Sequence, residues 1–249
     1  MDYRAKIYSL SARIQHAIAP GLPYSQTVFE QRLAGFARNA TRWLDLGCGH
    51  RMLPEWRGDA ERDITRGVGF LVGLDSDMQA LRRHRSITQL CAGDITKLPF
   101  RDGSFDLITA NMVIEHLADP ATQFAEVARV LSPGGIFVFH TPNARSYVIS
   151  LARLLPDGVK RLLARVTEGR EGVDVYPTHY RANDASSIET IAARGGFASA
   201  DIEFVASTPA LSLFPPLVIP ELLWIRQLQR RPTLAKYRHT LICALRRSL

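Results

Sequence analysis

The 249-residue sequence predicts an α/β fold in which a mainly parallel sheet carries helices on both faces. Short apolar runs alternate with helical patterns between residues 42 and 140, and a glycine-rich turn follows the first apolar run. The composition, with 46% hydrophobic and 22% charged residues, is ordinary for a globular protein. Because successive strand–helix–strand units cross over with a right hand, they build a parallel sheet.

The first 40 residues are predicted to form a helical lid. Apolar residues from Tyr3 to Ile18 recur at helical spacing, and Pro20-Gly21 ends this helix. A second helix is expected over residues 25–38. We expect both helices to pack over the edge of the sheet, and contact with a substrate is compatible with that packing.

The remaining elements follow from apolar runs and from helix start and stop signals. Asp119-Pro120 is a good helix start, since aspartate caps the first turn and proline fits the first helical position. Gly195-Gly196 closes the last predicted helix. The predicted strands are 42–46, 69–74, 87–92, 105–110, 135–140 and 200–206, and the predicted helices are 54–65, 77–84, 120–131 and 184–194.

The most informative stretch of the chain lies at the end of the first strand, from Trp43 to Gly49. An apolar run that contains Asp45 gives way to two glycines, Gly47 and Gly49, spaced one apart. Glycine is favoured there because a Cβ would obstruct both a sharp turn and the close approach of backbone to a ligand. Nucleotide-binding α/β sheets in general use such a turn.

Two further strands deliver carboxylates to the same edge of the predicted sheet. Asp75 ends the second strand, 26 residues after Gly49, where an acidic side chain can accept both hydroxyls of a ribose. Asp94 ends the third strand and suits an exocyclic amine such as that of adenine. The pair predicts a nucleoside site along this edge.

The order of these motifs resembles that of the class I S-adenosylmethionine-dependent methyltransferases, in the small-molecule, type 11-like branch. The shared motifs are D-x-G-x-G from Asp45, the acid Asp75, G-D-I and L-P-F within 93–100, F-D-L from Phe105, and L-x-P-G-G from Leu131. The resemblance is strong over residues 40–142 and weak elsewhere. It implies a Rossmann-like seven-stranded sheet of order 3-2-1-4-5 with two further strands at the far edge, one of them antiparallel. It also implies S-adenosyl-L-methionine as the cofactor.

Two other classes of protein stay open. A nicotinamide (NAD) or flavin oxidoreductase shares the glycine turn and the ribose acid, but its fingerprint has a third glycine where this chain has Met52. A scaffold or regulatory subunit could bind the cofactor without turnover. The methyltransferase pattern itself often has a third glycine where this chain has Arg51, which either contacts a carboxylate or substrate anion or points to solvent.

The resemblance implies a cofactor site at the carboxyl edge of the sheet. Asp75 clamps the ribose, Asp94 holds the adenine together with the Ile95 amide, and Asp45 orders the glycine loop or reaches the amino group of the cofactor through water. The predicted cofactor-binding residues are Asp45, Gly47, Cys48, Gly49, Asp75, Ser76, Asp94, Ile95 and Asn111.

The predicted catalytic residues are Glu115, His116 and His179. His116 follows the fourth strand, and histidine can act as a general base near neutral pH. A helix-capping or packing role is the alternative for this residue. His140 is a further candidate for substrate contact, as is His179 with its neighbours 180 and 181.

No metal site is expected. Members of one sub-branch bind a divalent metal through an E-x-x-E-H pattern in the segment after the fourth strand. This chain has Met112 where the first glutamate of that pattern stands, so only Glu115 and His116 remain of it.

We expect three regions: the lid over 1–40, a cofactor-binding domain over 41–208 with an insertion at 143–182, and a basic, helical and apolar extension over 209–249. Long insertions at the carboxyl edge of a sheet are usually lids or binding elements. The extension contains three prolines and a glutamate within its apolar run, so no transmembrane helix is expected. It either lies on an anionic membrane surface, or forms a subunit interface or a flap.

The net charge of +7 is concentrated at the two ends of the sequence. Residues 1–40 hold five basic and two acidic side chains, and residues 209–249 hold seven basic and one acidic. The body between them is close to neutral, which argues against a nucleic-acid-binding core. The basic ends are consistent with an anionic surface or substrate.

The expected location is the cytoplasm, with peripheral association at the inner membrane surface if the extension binds lipid. The three cysteines lack metal or disulfide spacing, and the N-terminal residues do not resemble a signal peptide. The expected activity is O-methylation of a small molecule or of a glycan- or lipid-linked intermediate. This substrate class rests on the insertion, on the basic apolar extension, and on a resemblance to bacterial members with the Thr-Pro-Asn motif, here residues 141–143.

Overall fold

The computed structural model describes residues 3–155 and 176–249. Within these residues a mixed seven-stranded sheet has the order β3-β2-β1-β4-β5-β7-β6, which confirms the predicted arrangement of the first five strands with two more at the far edge. The strands are β1 (Arg42–Leu46), β2 (Phe70–Asp75), β3 (Gln89–Ala92), β4 (Phe105–Asn111), β5 (Leu131–Pro142), β6 (Phe197–Val205) and β7 (Thr240–Arg247).

The helices agree closely with the sequence pattern. Asp119 caps its helix as predicted, accepting the Thr122 N–H at 3.4 Å, and Asp77 caps another by accepting the Gln79 N–H at 2.7 Å. The helices are α1 (Tyr3–Ile18), α2 (Ser25–Ala37), α3 (Gly58–Thr65), α4 (Met78–Arg82), α5 (Pro120–Val130), α6 (Tyr147–Leu154), α7 (Ala185–Arg194) and α8 (Pro215–Arg230). Short 3₁₀ turns cover Glu55–Arg57, Ile114–His116 and Pro232–Tyr237.

The parallel register brings four strand ends to one edge of the sheet. Leu46 of β1 lies opposite Leu74 of β2 on one side and Ala110 of β4 on the other, and Asp75 lies opposite Ala92 of β3. Because β1 to β4 are mutually parallel, the loops that leave them start side by side. This edge is the expected location of a ligand site in an open α/β sheet.

The structure gives bounds to three segments that the sequence pattern left without them. Residues 240–247 form β7, although the sequence pattern did not identify a strand there. The extension contains a helix, as expected: Pro215 and Pro216 occupy the first turn of α8, where no N–H partner is needed, and Pro220 lies inside it. The predicted insertion begins with α6, and its residues 156–175 lie outside the described part.

The chain divides into two compact units. The sheet unit comprises Gln26–Pro142, Thr178–Glu203 and Leu241–Leu249, and the helical unit comprises Met1–Ser25, Asn143–Pro177 and Phe204–Thr240. In the helical unit, α1 packs on α8 around a buried apolar cluster of Ala19, Leu22, Ala206, Val218, Leu222 and Ile225. None of the helices described here has the length and apolar content needed to cross a bilayer.

Candidate active site

The glycine turn after β1 is fixed against β2. The N–H groups of Gly47 and Cys48 both donate to the carbonyl of Leu74, at 2.8 and 3.2 Å. Gly47 and Gly49 have φ values of +66° and +54°, in the left-handed region that favours glycine. A Cβ at Gly47 would lie 2.5 Å from a methyl group of Val113, whereas nothing lies within 4 Å of the Cβ position at Gly49. The turn therefore packs tightly on one side and leaves open space beside Gly49.

Asp75 joins this turn to the end of β2. Its carboxylate accepts the Gly49 N–H on Oδ2 and the Asp77 N–H on Oδ1, both at 2.8 Å. A carboxylate has about four lone-pair positions, so these two bonds hold the group in place and leave capacity for two more donors. Two adjacent ribose hydroxyls would supply such donors, and the exposed Ser76 follows directly at the same edge.

Asp94 lies at the neighbouring strand end. The backbone N–H of Gly93 donates to the Asp75 carbonyl at 3.1 Å, which ties the ends of β3 and β2 together. The Asp94 Oδ1 atom accepts from both the N–H and the hydroxyl of Thr96 at 2.7 Å. Oδ2 keeps its lone pairs for a further donor, and the half-buried Ile95 follows with its own backbone amide.

Asp45 lies beneath the turn rather than at its surface. Its side chain is 3% exposed and accepts the hydroxyl of Thr109 at 2.6 Å, and that hydroxyl in turn accepts the Trp43 indole N–H at 2.7 Å. Burial raises the pKa of Asp45 to about 8, although the Thr109 bond opposes this shift. Asp45 is thus bonded to β4 through Thr109, and its role toward the glycine loop stays a prediction.

Cys48 points into the sheet unit. A Cβ on Gly73 would lie 2.8 Å from the Cys48 sulfur, so the glycine in β2 makes room for this side chain. Burial raises the pKa of the Cys48 thiol above its ordinary value and keeps it neutral. Its side chain therefore fills space under the turn, while its backbone forms part of the loop.

A buried hydrogen-bond chain holds Asn111 at the end of β4. The Asn111 amide donates to Gln26 Oε1 at 3.1 Å, the Gln26 amide donates to Glu30 Oε1 at 3.1 Å, and Arg57 donates to Glu30 Oε2 from Nε at 2.8 Å. On its other side, Asn111 Oδ1 lies 3.0 Å from Nδ1 of His140. The chain thus connects the 3₁₀ turn Glu55–Arg57, α2, β4 and β5.

His140 is interior, so it does not contact a substrate as the sequence suggested. It has no exposed surface and its ring stacks on Phe29, with 5.5 Å between the ring centroids. Because the Asn111 amide nitrogen already donates to Gln26, its oxygen faces His140, and Nδ1 of the imidazole carries the proton. Burial lowers the pKa of His140 to about 4, so the ring is neutral at physiological pH.

The structure brings the three predicted catalytic residues together. The backbone N–H groups of His179 and Tyr180 donate to the Glu115 carbonyl at 2.7 and 3.2 Å, and Arg181 donates to the Ala118 carbonyl at 2.5 Å. The end of the insertion is therefore fixed to the segment that follows β4. His116 is half-buried and His179 is exposed.

Glu115 has a buried side chain with its own partners. It accepts the Thr141 hydroxyl at 3.0 Å, and the Asn183 amide donates to the same hydroxyl oxygen at 2.6 Å. Burial raises the pKa of Glu115, and the neighbouring His116, whose Nε2 lies 4.0 Å from the carboxylate, opposes that shift. Among the described residues, no group of three or more His, Cys, Asp or Glu side chains is arranged to hold a metal ion.

Sequence reasoning missed six residues of these networks: Gln26, Glu30, Arg57, Thr109, Thr141 and Asn183. Thr141 was noted only within the Thr-Pro-Asn motif, and Asn183 precedes a helix cap without any distinctive spacing. Gln26 lies in the first turn of a helix assigned to the lid. Its only sequence signal is its position four residues before Glu30, which places both on one helix face.

Comparisons with known proteins agree with this geometry. Residues 44–139 match the family model described as a methyltransferase domain. A demethylmenaquinone methyltransferase from Corynebacterium kroppenstedtii is 31% identical over 161 residues, 60% of this chain and 70% of that protein. A ubiquinone biosynthesis O-methyltransferase from Xanthomonas oryzae is 32% identical over 134 residues, 51% of this chain and 53% of that protein.

Solved structures show the same fold. A structure of an S-adenosylmethionine-dependent methyltransferase from Mesorhizobium loti aligns with a TM-score of 0.57 and 22% identity, covering 88% of this chain and 95% of that one. The chain spans about half the length of most of the curated relatives that it matches. The sequence likeness is centred on the strands and loops that build the cofactor edge.

Proposed function

Because this chain belongs to the class I S-adenosylmethionine-dependent methyltransferases, we propose that it methylates an oxygen atom of a small molecule or of a glycan- or lipid-linked intermediate. The single observation that carries the proposal is the edge at which Gly49, Asp75 and Asp94 meet. There, open space beside a left-handed glycine adjoins two carboxylates, each of which is held by backbone and keeps lone pairs for new donors.

These residues fit the cofactor group by group. Asp75 has capacity for two ribose hydroxyls, and Asp94 with the Ile95 amide presents an acceptor and a donor to an adenine edge. The space beside Gly49 admits the amino-acid part, and Asn111 offers its backbone carbonyl to the amino group. When bound, S-adenosyl-L-methionine supplies a methyl group already activated on a sulfonium.

The chain's own catalytic task is then to position the acceptor and to remove its proton. We assign removal of this proton to His116, since it is half-buried, follows β4, and has its Nε2 atom 4.0 Å from the Glu115 carboxylate. Glu115 acts as a positioning residue because its side chain is buried and is held by Thr141. We assign binding of the acceptor to His179, whose backbone N–H donates to the Glu115 carbonyl.

The oxygen acceptor is supported by the names of relatives. Besides the ubiquinone biosynthesis enzyme, a malonyl-[acyl-carrier protein] O-methyltransferase from Erwinia billingiae is 36% identical over 133 residues. The near-neutral body of the chain argues against a nucleic-acid substrate. Cys48, Cys91 and Cys243 are all free thiols, which fits a reducing, cytoplasmic compartment.

The test is incubation of the purified chain with methyl-labelled cofactor and a fractionated lysate, followed by mass analysis of whatever gains the label. We expect a labelled small molecule or conjugate whose new methyl ether or ester is lost with Asp75→Ala. Tight cofactor binding with no labelled product in any fraction would instead support a non-catalytic scaffold. Saturable nicotinamide binding by calorimetry would support an oxidoreductase.

A further inference from the structure

The helical unit exposes an unusual amount of apolar surface. Of the seventeen large hydrophobic side chains that are exposed among the described residues, eleven belong to this unit, although it is the smaller of the two. Single exposed hydrophobic residues are normal, but a contiguous group of them marks an interaction surface. Among the described helices, α8 carries the largest number of them, four side chains.

Helix α8 is apolar on both faces. Its inner face is formed by Val218, Leu222, Ile225 and Leu228, all with no exposed surface. Its outer face carries Leu217, Ile219, Leu223 and Trp224, which are between 39% and 51% exposed. The outer face of a surface helix in a globular protein is normally polar, so this face has the composition of a binding surface.

The charge next to this outer face is positive. Arg230 and Arg231 end the helix and Lys236 follows in the 3₁₀ turn, all three exposed. The single acidic residue of the segment, Glu221, does not offset them at the surface, because it is 6% exposed and accepts bonds from the Ala210 and Leu211 N–H groups. Helix α8 therefore presents an exposed apolar face that includes a tryptophan and ends in cationic residues.

We propose that the outer face of α8 is a docking surface for a lipid bilayer with anionic headgroups. Leucine, isoleucine and tryptophan side chains enter the boundary between headgroups and acyl chains, while arginine and lysine meet the lipid phosphates. The charge favours this occupant over a second copy of the chain, since two copies with a net charge of +7 each repel one another, whereas anionic headgroups attract the cations. The inference rests on the proposed function only in that it would place the enzyme beside a lipid-linked acceptor.

The test is co-sedimentation of the full chain with vesicles, which needs neither cofactor nor turnover and so fails or succeeds independently of the methyltransferase assignment. Vesicles of phosphatidylcholine with one third phosphatidylglycerol are compared with pure phosphatidylcholine. We expect preferential binding to the anionic vesicles, weakened by salt. We expect Leu223→Ser with Trp224→Ser, and separately Arg230→Gln with Arg231→Gln, each to weaken binding about tenfold or more.

Matched controls come from the sheet unit. Phe70→Ser removes another half-exposed aromatic side chain, and Arg62→Gln with Arg66→Gln removes two exposed arginines; both should bind vesicles like the unchanged protein. Equal binding of all variants, or no preference for anionic vesicles, overturns the proposal. It is also overturned if the α8 variants turn a dimer into a monomer by light scattering while vesicle binding stays the same. Circular dichroism verifies that each variant is folded.

Discussion

The carboxylate of Asp75 is the residue on which cofactor affinity should depend most. Asp75→Asn keeps the size of the side chain but loses the charge and one acceptor. Hydrogen bonds to charged groups contribute about 1.5–3 kcal/mol, so we expect the Kd for S-adenosyl-L-methionine to rise about 10- to 100-fold by calorimetry. Asp63→Asn, on the exposed side of α3, should leave the Kd unchanged. A normal Kd for Asp75→Asn would exclude the ribose clamp.

His116 should affect turnover rather than binding. With His116→Ala we expect labelled product to form at least about a hundredfold more slowly, because a positioned general base contributes that much, while the cofactor Kd changes little. His179→Ala provides the comparison, and we expect it to weaken the use of the acceptor instead. If His116→Ala turns over at the normal rate, this histidine is not the base.

Single residues were predictable from sequence where chemistry and chain position coincide. Asp75 and Asp94 end apolar runs, and parallel strands bring such ends together, so their neighbourhood follows from topology alone. The hydrogen-bond partners of Asn111 could not be predicted from the sequence, because Gln26 is distant along the chain and reaches Asn111 only through packing of α2 on the sheet. The burial of His140 could not be predicted either, since a histidine at a strand end looks the same in sequence whether it faces solvent or the core.

At the scale of elements, α2 supports the active site through one buried glutamine. Gln26→Leu leaves the Asn111 amide and Glu30 Oε1 without this partner, and an unpaired buried polar group costs about 1–3 kcal/mol. We therefore expect the free energy of unfolding, measured with urea, to fall by about that amount, together with a weaker cofactor Kd. Gln31→Leu, on the exposed side of the same helix, is the control. A stability loss with an unchanged Kd would mean that α2 supports the fold but not the site.

The elements that sequence pattern predicted well are those with strong periodicity or clear caps. The helix from Pro120 has both, and its structure begins at the predicted residue. β7 was missed because Leu241 to Leu245 is a short, continuous apolar run, which periodicity alone cannot assign to strand or helix. The extension was expected to be helical, but the bounds of α8 were not predictable, because a proline normally interrupts a helix and α8 continues through Pro220.

At the scale of the whole molecule, two buried histidines contribute a loss of stability in acid, which the raised pKa of the buried Asp45 opposes. Burial lowers the pKa of His140 in the sheet unit and of His239 in the helical unit to about 4. The unfolded chain binds protons at about pH 6.5, before either folded histidine does, so stability present at neutral pH is lost as the pH falls from about 6.5 towards 4.

The helical unit offers a direct test of this pH dependence. His239 accepts the Ser207 N–H at Nδ1 and lies 2.8 Å from the Tyr147 hydroxyl through Nε2. His239→Gln should be less stable at pH 7 but should lose less free energy of unfolding between pH 7 and pH 5 than the unchanged chain, as measured by urea denaturation. His16→Gln, an exposed histidine of the same unit, should not alter the pH dependence. Parallel curves for all three proteins would contradict the assignment.

The position of β7 has a consequence for how the sheet is made. Residues 206–239 separate β6 from β7 in the sequence, yet in the sheet β7 lies between β5 and β6. During synthesis, β6 therefore emerges from the ribosome before the strand that joins it to the sheet exists. Its edge must remain unpaired until residues 240–247 arrive, and an unpaired strand edge is prone to pair with other chains.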